Sequence, residues 1–88
     1  MQYTALFIRD KDAGGYTVRV PALSGCITEG DTLLEALENT KEAILAYLES
    51  LARDNLAAPE DRAIVELYED EEEAWVLKIP VEETISVA

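Results

Sequence analysis

Thr32-Leu33-Leu34-Glu35-Ala36-Leu37-Glu38-Asn39-Thr40-Lys41-Glu42-Ala43-Ile44-Leu45-Ala46-Tyr47-Leu48-Glu49-Ser50-Leu51-Ala52-Arg53 is the stretch on which the fold turns. Thr32 and Glu35 have the spacing of a capping box, in which hydroxyl and carboxylate each satisfy an orphan N–H of a helix start. At about 100° per residue, Leu33, Leu37, Thr40, Ile44, Tyr47, Leu48 and Leu51 fall on one stripe, and Glu35, Glu38, Glu42 and Glu49 fall opposite. The spacing predicts one helix running to about residue 53. Leu34, Leu45 and Ala52 widen the apolar stripe, which fits either a broad core contact or a subunit or partner interface.

Upstream, Tyr3 to Arg9 is aromatic and aliphatic and reads as a strand. Asp10-Lys11-Asp12-Ala13-Gly14-Gly15 is turn chemistry, and Tyr16 to Val20 alternates, with Tyr16, Val18 and Val20 on one face. Together they predict a hairpin, ended by Pro21, which cannot donate to a ladder. Ala22 to Gly25 reads as a tight loop and Cys26 to Glu29 as a short third strand. Downstream of Asp54-Asn55, residues 56–62 form a loop. In residues 63–68, Pro59-Glu60-Asp61 signals a helix start. The β-branched Ile64-Val65 and the acidic run Glu69 to Glu73, unfavourable at a helix C-terminus, tip the balance to strand. That acidic run reads as a solvated turn. Ala74 to Ile79 is a further strand with Trp75, Leu77 and Ile79 on one face, and Thr84 to Ala88 either adds an edge strand or stays loose. The expectation is an α+β fold of two layers, an antiparallel sheet in the order β-β-β-α-β on one long helix. Residues 1–80 form the domain and 81–88 a tail or edge strand.

The 88 residues carry 19 acidic and 7 basic side chains, a net charge of −12, and no histidine. One domain is the ceiling at this length. Without histidine there is no Ser-His-Asp or Cys-His nucleophile and no H-E-x-x-H zinc site. The single cysteine, Cys26, excludes an intrachain disulfide, and it fits a cytoplasmic protein and a small buried hydrophobe. No apolar run approaches a membrane span. The negative field opposes binding to phosphate backbones, so a basic partner is expected. By segment, residues 1–30 are neutral, 31–57 carry −4 and 58–88 carry −8.

The remaining constellations are weak. From Asp10, an EF-hand would need an oxygen ligand at its fifth position and glutamate at its twelfth, where Gly14 and Pro21 stand. Asp10, Asp12, Glu29 and Asp31 could form a two-metal site only by converging in one pocket. No phosphate-binding glycine motif occurs. No lysine adjoins Cys26 to activate it, and Trp75 lacks the basic surroundings of a base-stacking residue. No catalytic, metal or cofactor site is expected.

Gly15-Tyr16, Val20-Pro21-Ala22-Leu23-Ser24-Gly25-Cys26-Ile27-Thr28-Glu29-Gly30-Asp31-Thr32, Glu35-Ala36-Leu37-Glu38-Asn39 and Lys41-Glu42-Ala43-Ile44 resemble the HicB-type antitoxin family. The likeness covers residues 1–54 and rests on Tyr16, Pro21, Leu23, Gly25, Cys26, Gly30, Thr32, Glu35 and Ala36. Ser24 stands where the family usually has proline. The resemblance implies a partial RNase H-like fold without catalysis. It also implies a partner, a small basic HicA-like toxin that acts as an mRNA interferase. Full-length members often carry a C-terminal DNA-binding module. This chain is expected to lack it, and to bind neither nucleic acid by itself nor a membrane. Charge, not the family pattern, points to the toxin contacts: Glu35, Glu38, Glu42 and Glu49 on the helix, or residues 66–83, where Glu66 and Trp75 are the candidates. Open sheet edges and the helix flank predict a homodimer or homotetramer. The alternative is a solitary oligomeric HicB-like domain with a regulatory or ligand-binding role.

Overall fold

The computed structural model describes residues 1–63 and 73–81. Their elements are β1 (Gln2–Arg9), β2 (Tyr16–Arg19), β3 (Ile27–Gly30), α1 (Leu33–Arg53) and β4 (Ala74–Pro80). The four strands make one antiparallel sheet in the order β3-β2-β1-β4, with α1 across one face. The expected two-layer order is the one found. The expectations for residues 64–68 and 84–88, and the position of Glu66, lie outside the described residues.

Turn chemistry starts the sheet. Asp10 Oδ1 accepts the N–H groups of Asp12 and Ala13, each at 3.0 Å, while Gly14 and Gly15 take φ of 77° and 79°. This brings Arg9 opposite Tyr16. After β2, Val20 donates to the Cys26 carbonyl (3.1 Å) and Cys26 to that of Leu23 (2.9 Å). The loop between is closed on itself, and the chain returns as β3. Alternation along β1 sends Tyr3, Ala5 and Phe7 to the helix side, where Val18, Leu23, Ile44 and Ile79 complete the core.

The helix is specified at both ends. Thr32 Oγ1 accepts the Glu35 N–H at 3.0 Å, but the Glu35 carboxylate takes the N–H of Asp31 at 3.0 Å rather than that of Thr32. At the other end Asn55 is left-handed (φ 58°). Leu56 N–H reaches the Leu51 carbonyl and Asn55 N–H that of Ala52, the paired bonds of a Schellman stop. Ala36, Thr40 and Ile44 are buried, and the Thr40 hydroxyl donates to the Ala36 carbonyl at 2.7 Å.

One expected core residue is not in the core. Leu33 is 47% exposed. The first turn meets the sheet through Ala36, which lies against Gly30. A Cβ on Gly30 would stand 2.4 Å from the Ala36 nitrogen. That close approach rotates Leu33 outward. Leu34 and Leu45 are exposed as well, so the widened part of the stripe is not core contact.

Past the helix, the chain returns along the sheet. β2 stops pairing with β1 at Leu6–Arg19, which leaves the Thr4 N–H without a strand partner. Asp61 supplies one. Its two carboxylate oxygens accept the Thr4 N–H and the Thr4 hydroxyl, both at 2.7 Å, and Lys78 Nζ stands 3.5 Å away. Burial pushes the Asp61 carboxyl up, but the Thr4 bonds, the Arg62 N–H and the Lys78 charge outweigh it and hold it below its ordinary value. A depressed folded value means stability that is full above the unfolded carboxylate range near pH 4 and lost as pH falls through the folded one. Asp61→Asn is therefore expected to cost about 1–2 kcal/mol at pH 7. Thermal melts down the pH scale should show the gap from the parent closing only below about pH 4.

Candidate partner-binding surface

Glu35, Glu38, Glu42 and Glu49 are all exposed. Their spacing places them on the helix face turned away from Ala36, Thr40 and Ile44, so the acidic stripe read from periodicity is a stripe on the molecule. At its N-terminal end the stripe runs into a cleft of about 500 Å3, lined among others by Asp10, Glu29, Asp31 and Glu35. The hairpin turn and the β3–α1 junction form this cleft because Gly15 packs against Gly30, a Cβ there standing 3.0 Å from the Gly30 carbonyl oxygen. Asn39 bridges its floor, donating to the Glu29 carbonyl at 2.8 Å. Among the described residues no three His, Cys, Asp or Glu gather closely enough to hold a metal ion. Asp10, Glu29, Asp31 and Glu35 are all exposed at the cleft, although one oxygen of Asp10 and one of Glu35 accept backbone N–H groups.

Trp75 lies on a different surface from the helix glutamates. It pairs with Phe7 across the ladder and tilts against Tyr16, the ring centroids 6.1 Å apart. Phe7 is fully buried, yet Trp75 is 46% and Leu77 38% exposed. The helix covers β2 and β3 and leaves the β4 side of the same face open. Between the helix flank and the end of β4 lies an apolar recess of about 410 Å3 lined by Lys41, Ile44, Leu45, Ile79, Pro80 and Val81. Hydrophobic alternation identified the inward face of β4 but not its exposure, because the helix's lateral placement is a tertiary matter.

The motif residues serve the scaffold. Gly25 has φ 80°, which supplies the left-handed corner of the Pro21–Cys26 loop. Leu23 is buried at 1% exposure, plugging that loop into the core. Tyr47 donates from its hydroxyl to the Ser24 carbonyl at 2.9 Å, tying loop to helix. Cys26 is buried, and burial pushes its thiol up, so it stays protonated and poorly nucleophilic at neutral pH. Sequence reading missed Asp61, one acid among ten in the last third of the chain. Its only signal was its place after Pro59, and that suggested a helix start instead. No helix among the described residues is long and apolar enough to cross a membrane.

Several known proteins are similar to this chain in sequence or in fold. The UPF0150 protein Ta0767 of Thermoplasma acidophilum is 54% identical over 63 residues, 72% of this chain and 90% of that one. The UPF0150 protein ssr1765 of Synechocystis is 43% identical, again over 72% of this chain and 78% of its own length. Among solved structures, the Burkholderia pseudomallei antitoxin HicB superposes with a TM-score of 0.75 at 23% identity, over all of this chain and 74% of that one. A toxin–antitoxin complex from Streptococcus pneumoniae matches with a TM-score of 0.74 at 18% identity, over all of this chain and 81% of that one. These two likenesses are of fold. Residues 3–85 match the HicB-like antitoxin of bacterial toxin–antitoxin systems as a family, and the chain belongs to that family.

Proposed function

We propose that this chain is the antitoxin of a toxin–antitoxin pair, a cytoplasmic protein that binds and neutralises a small basic mRNA-interferase toxin of the HicA type without catalysis of its own. The observation that carries this reading is the row of exposed glutamates, Glu49, Glu42, Glu38 and Glu35, along one side of the helix with the cleft at its end, on a chain of net charge −12. Complementary potentials steer association and select partners by sign. Glu35, Glu38, Glu42 and Glu49 are the proposed contacts, with Trp75 and Glu66 as further candidates. Glu35 is the least replaceable of them, because its carboxylate also caps the helix start. Solved relatives that include a HicA3–HicB3 complex support a toxin as partner.

The test is co-purification with a small basic protein encoded beside it, and relief of that protein's growth inhibition. Glu38→Lys, Glu42→Lys and Glu49→Lys combined are expected to keep the melting temperature within a few degrees, since exposed substitutions cost about 0.5 kcal/mol or less each. The same triple variant should weaken toxin binding roughly 10- to 100-fold, mostly through a slower, less salt-dependent on-rate. Unchanged affinity and salt dependence would remove the helix from the interface. A second reading, a solitary self-associating regulatory domain, is favoured by the open apolar side of β4. In either reading the chain works as a homodimer or homotetramer.

A further inference from the structure

The two bonds that bracket the β1–β4 ladder reveal which way β4 faces. Arg9 N–H donates to the Glu73 carbonyl at 2.9 Å, and Val81 N–H to the Met1 carbonyl at 2.8 Å. Backbone groups alternate sides along a strand. Glu73, Trp75, Leu77, Ile79 and Val81 therefore direct theirs toward β1, and Ala74, Val76, Lys78 and Pro80 direct theirs outward. Among the described residues nothing pairs with that outer edge. Edges of this length are ordinarily guarded by charge, bulges or shortness. Here Pro80 ends the strand without interrupting it. Lys78 is the one charge within Ala74–Pro80, and its side chain is drawn to Asp61 and Thr4. Val76, 51% exposed, leaves its own outward stretch of the edge uncharged.

We propose that a second copy of this chain pairs along this edge, Ala74–Pro80 antiparallel to Ala74–Pro80, with Leu77 on the two-fold axis. This names the surface behind the self-association proposed above and rests on that part of the reading. In this register each Val76 exchanges both backbone bonds with the partner's Lys78, and each Ala74 N–H meets the partner's Pro80 carbonyl. Pro80, which has no N–H to give, falls at the end of the ladder. On the helix side Leu77 faces its own copy and Trp75 faces the partner's Ile79, which continues the half-exposed apolar face across the axis. A slip of two residues one way sets Lys78 against the partner's Lys78, and like charges directly opposite are destabilising. A slip the other way draws Glu73 and the acidic residues before it into the ladder.

The charge within the strand is compatible with a second copy. The strand carries a net +1 through Lys78 in a chain of −12. Within the ladder itself, then, no acid of one copy stands opposite an acid of the other. Glu73 on one side of the strand, and the acidic residues adjoining both ends in sequence, make the contact weaker at low ionic strength.

Sedimentation velocity on the whole chain at increasing concentration tests this, with Val76→Lys and Val76→Glu measured alongside. A concentration-dependent dimer is expected, tighter at high salt. Val76→Lys opposes the partner's Lys78 twice per dimer and should raise the dissociation constant roughly tenfold. Val76→Glu pairs with the same lysine and should leave it within about threefold or lower it. Should either variant melt early, amide exchange on the parent gives the answer, the Val76 and Lys78 amides slowing as concentration rises. A chain monomeric throughout overturns both self-association and this interface. A dimer weakened equally by both variants, or one whose Val76 and Lys78 amides stay fast, leaves self-association standing and overturns the β4 edge.

Discussion

Gly30→Ala is expected to lower the melting temperature by roughly 12–24 °C, the yield of a cost near 3 kcal/mol at about 4–8 °C per kcal/mol in a domain this small. Gly30 needs no unusual φ; what it needs is the absence of a side chain. A methyl there would lie 2.4 Å from the Ala36 nitrogen, 2.6 Å from the Ala36 Cα and 2.9 Å from the Glu35 carbonyl carbon. All three are helix backbone, so no rotamer change relieves the contact. The helix would have to lift from β3, loosening the burial of Ala36 and Thr40 and the Asn39 bond to the Glu29 carbonyl. Gly14→Ala is the control, because a Cβ at Gly14 meets nothing within 4 Å. Its cost is only the left-handed φ, about 1–2 kcal/mol. Melts of the two variants should differ clearly, and equal losses would mean that the helix seat is not set by Gly30.

Phe7→Ala is expected to be at least as damaging, at about 3–5 kcal/mol. Phe7 is fully buried at the centre of the sheet, between Val18 on β2 and Trp75 on β4. Total stability of domains this size is about 5–15 kcal/mol, so the variant should be partly unfolded at 37 °C or show a strongly lowered denaturant midpoint. Trp75→Ala, its cross-strand neighbour, removes a larger ring that is nearly half exposed and should cost much less, about 1–2 kcal/mol. The contrast separates the two roles on one face of one ladder. Phe7 holds the layers together, whereas Trp75 lies nearly half in solvent. If Trp75→Ala proved as destabilising as Phe7→Ala, the open side of β4 would be core and not contact surface.

The local elements were readable because each is encoded by short-range physics. Thr32 and Asn55 bound the helix through bonds to residues within five positions, Gly14 and Gly15 permit the turn, and 3.6-residue spacing puts the glutamates opposite Ile44. The acidic stripe was legible for the same reason, since exposure follows once the buried face is known. Leu33 was misplaced because periodicity ranks residues around a helix but not where the helix touches the sheet. Asp61 was missed because its partners Thr4 and Lys78 are distant in sequence, and no local pattern marks a carboxylate that will fill a gap in a ladder.

What the 88 residues determined by themselves is the set of pieces and their polarity: a neutral hairpin and third strand, a capped amphipathic helix, a further strand and a surplus of acid. What only the tertiary structure decided is how the layers overlap. Gly30 lets α1 sit tightly over β3, and a single helix about 10 Å across cannot also cover β4 along its whole length. One side of the sheet face is therefore sealed into core. The other, at Trp75 and Leu77, is left partly exposed beside an edge whose backbone has room for a second chain.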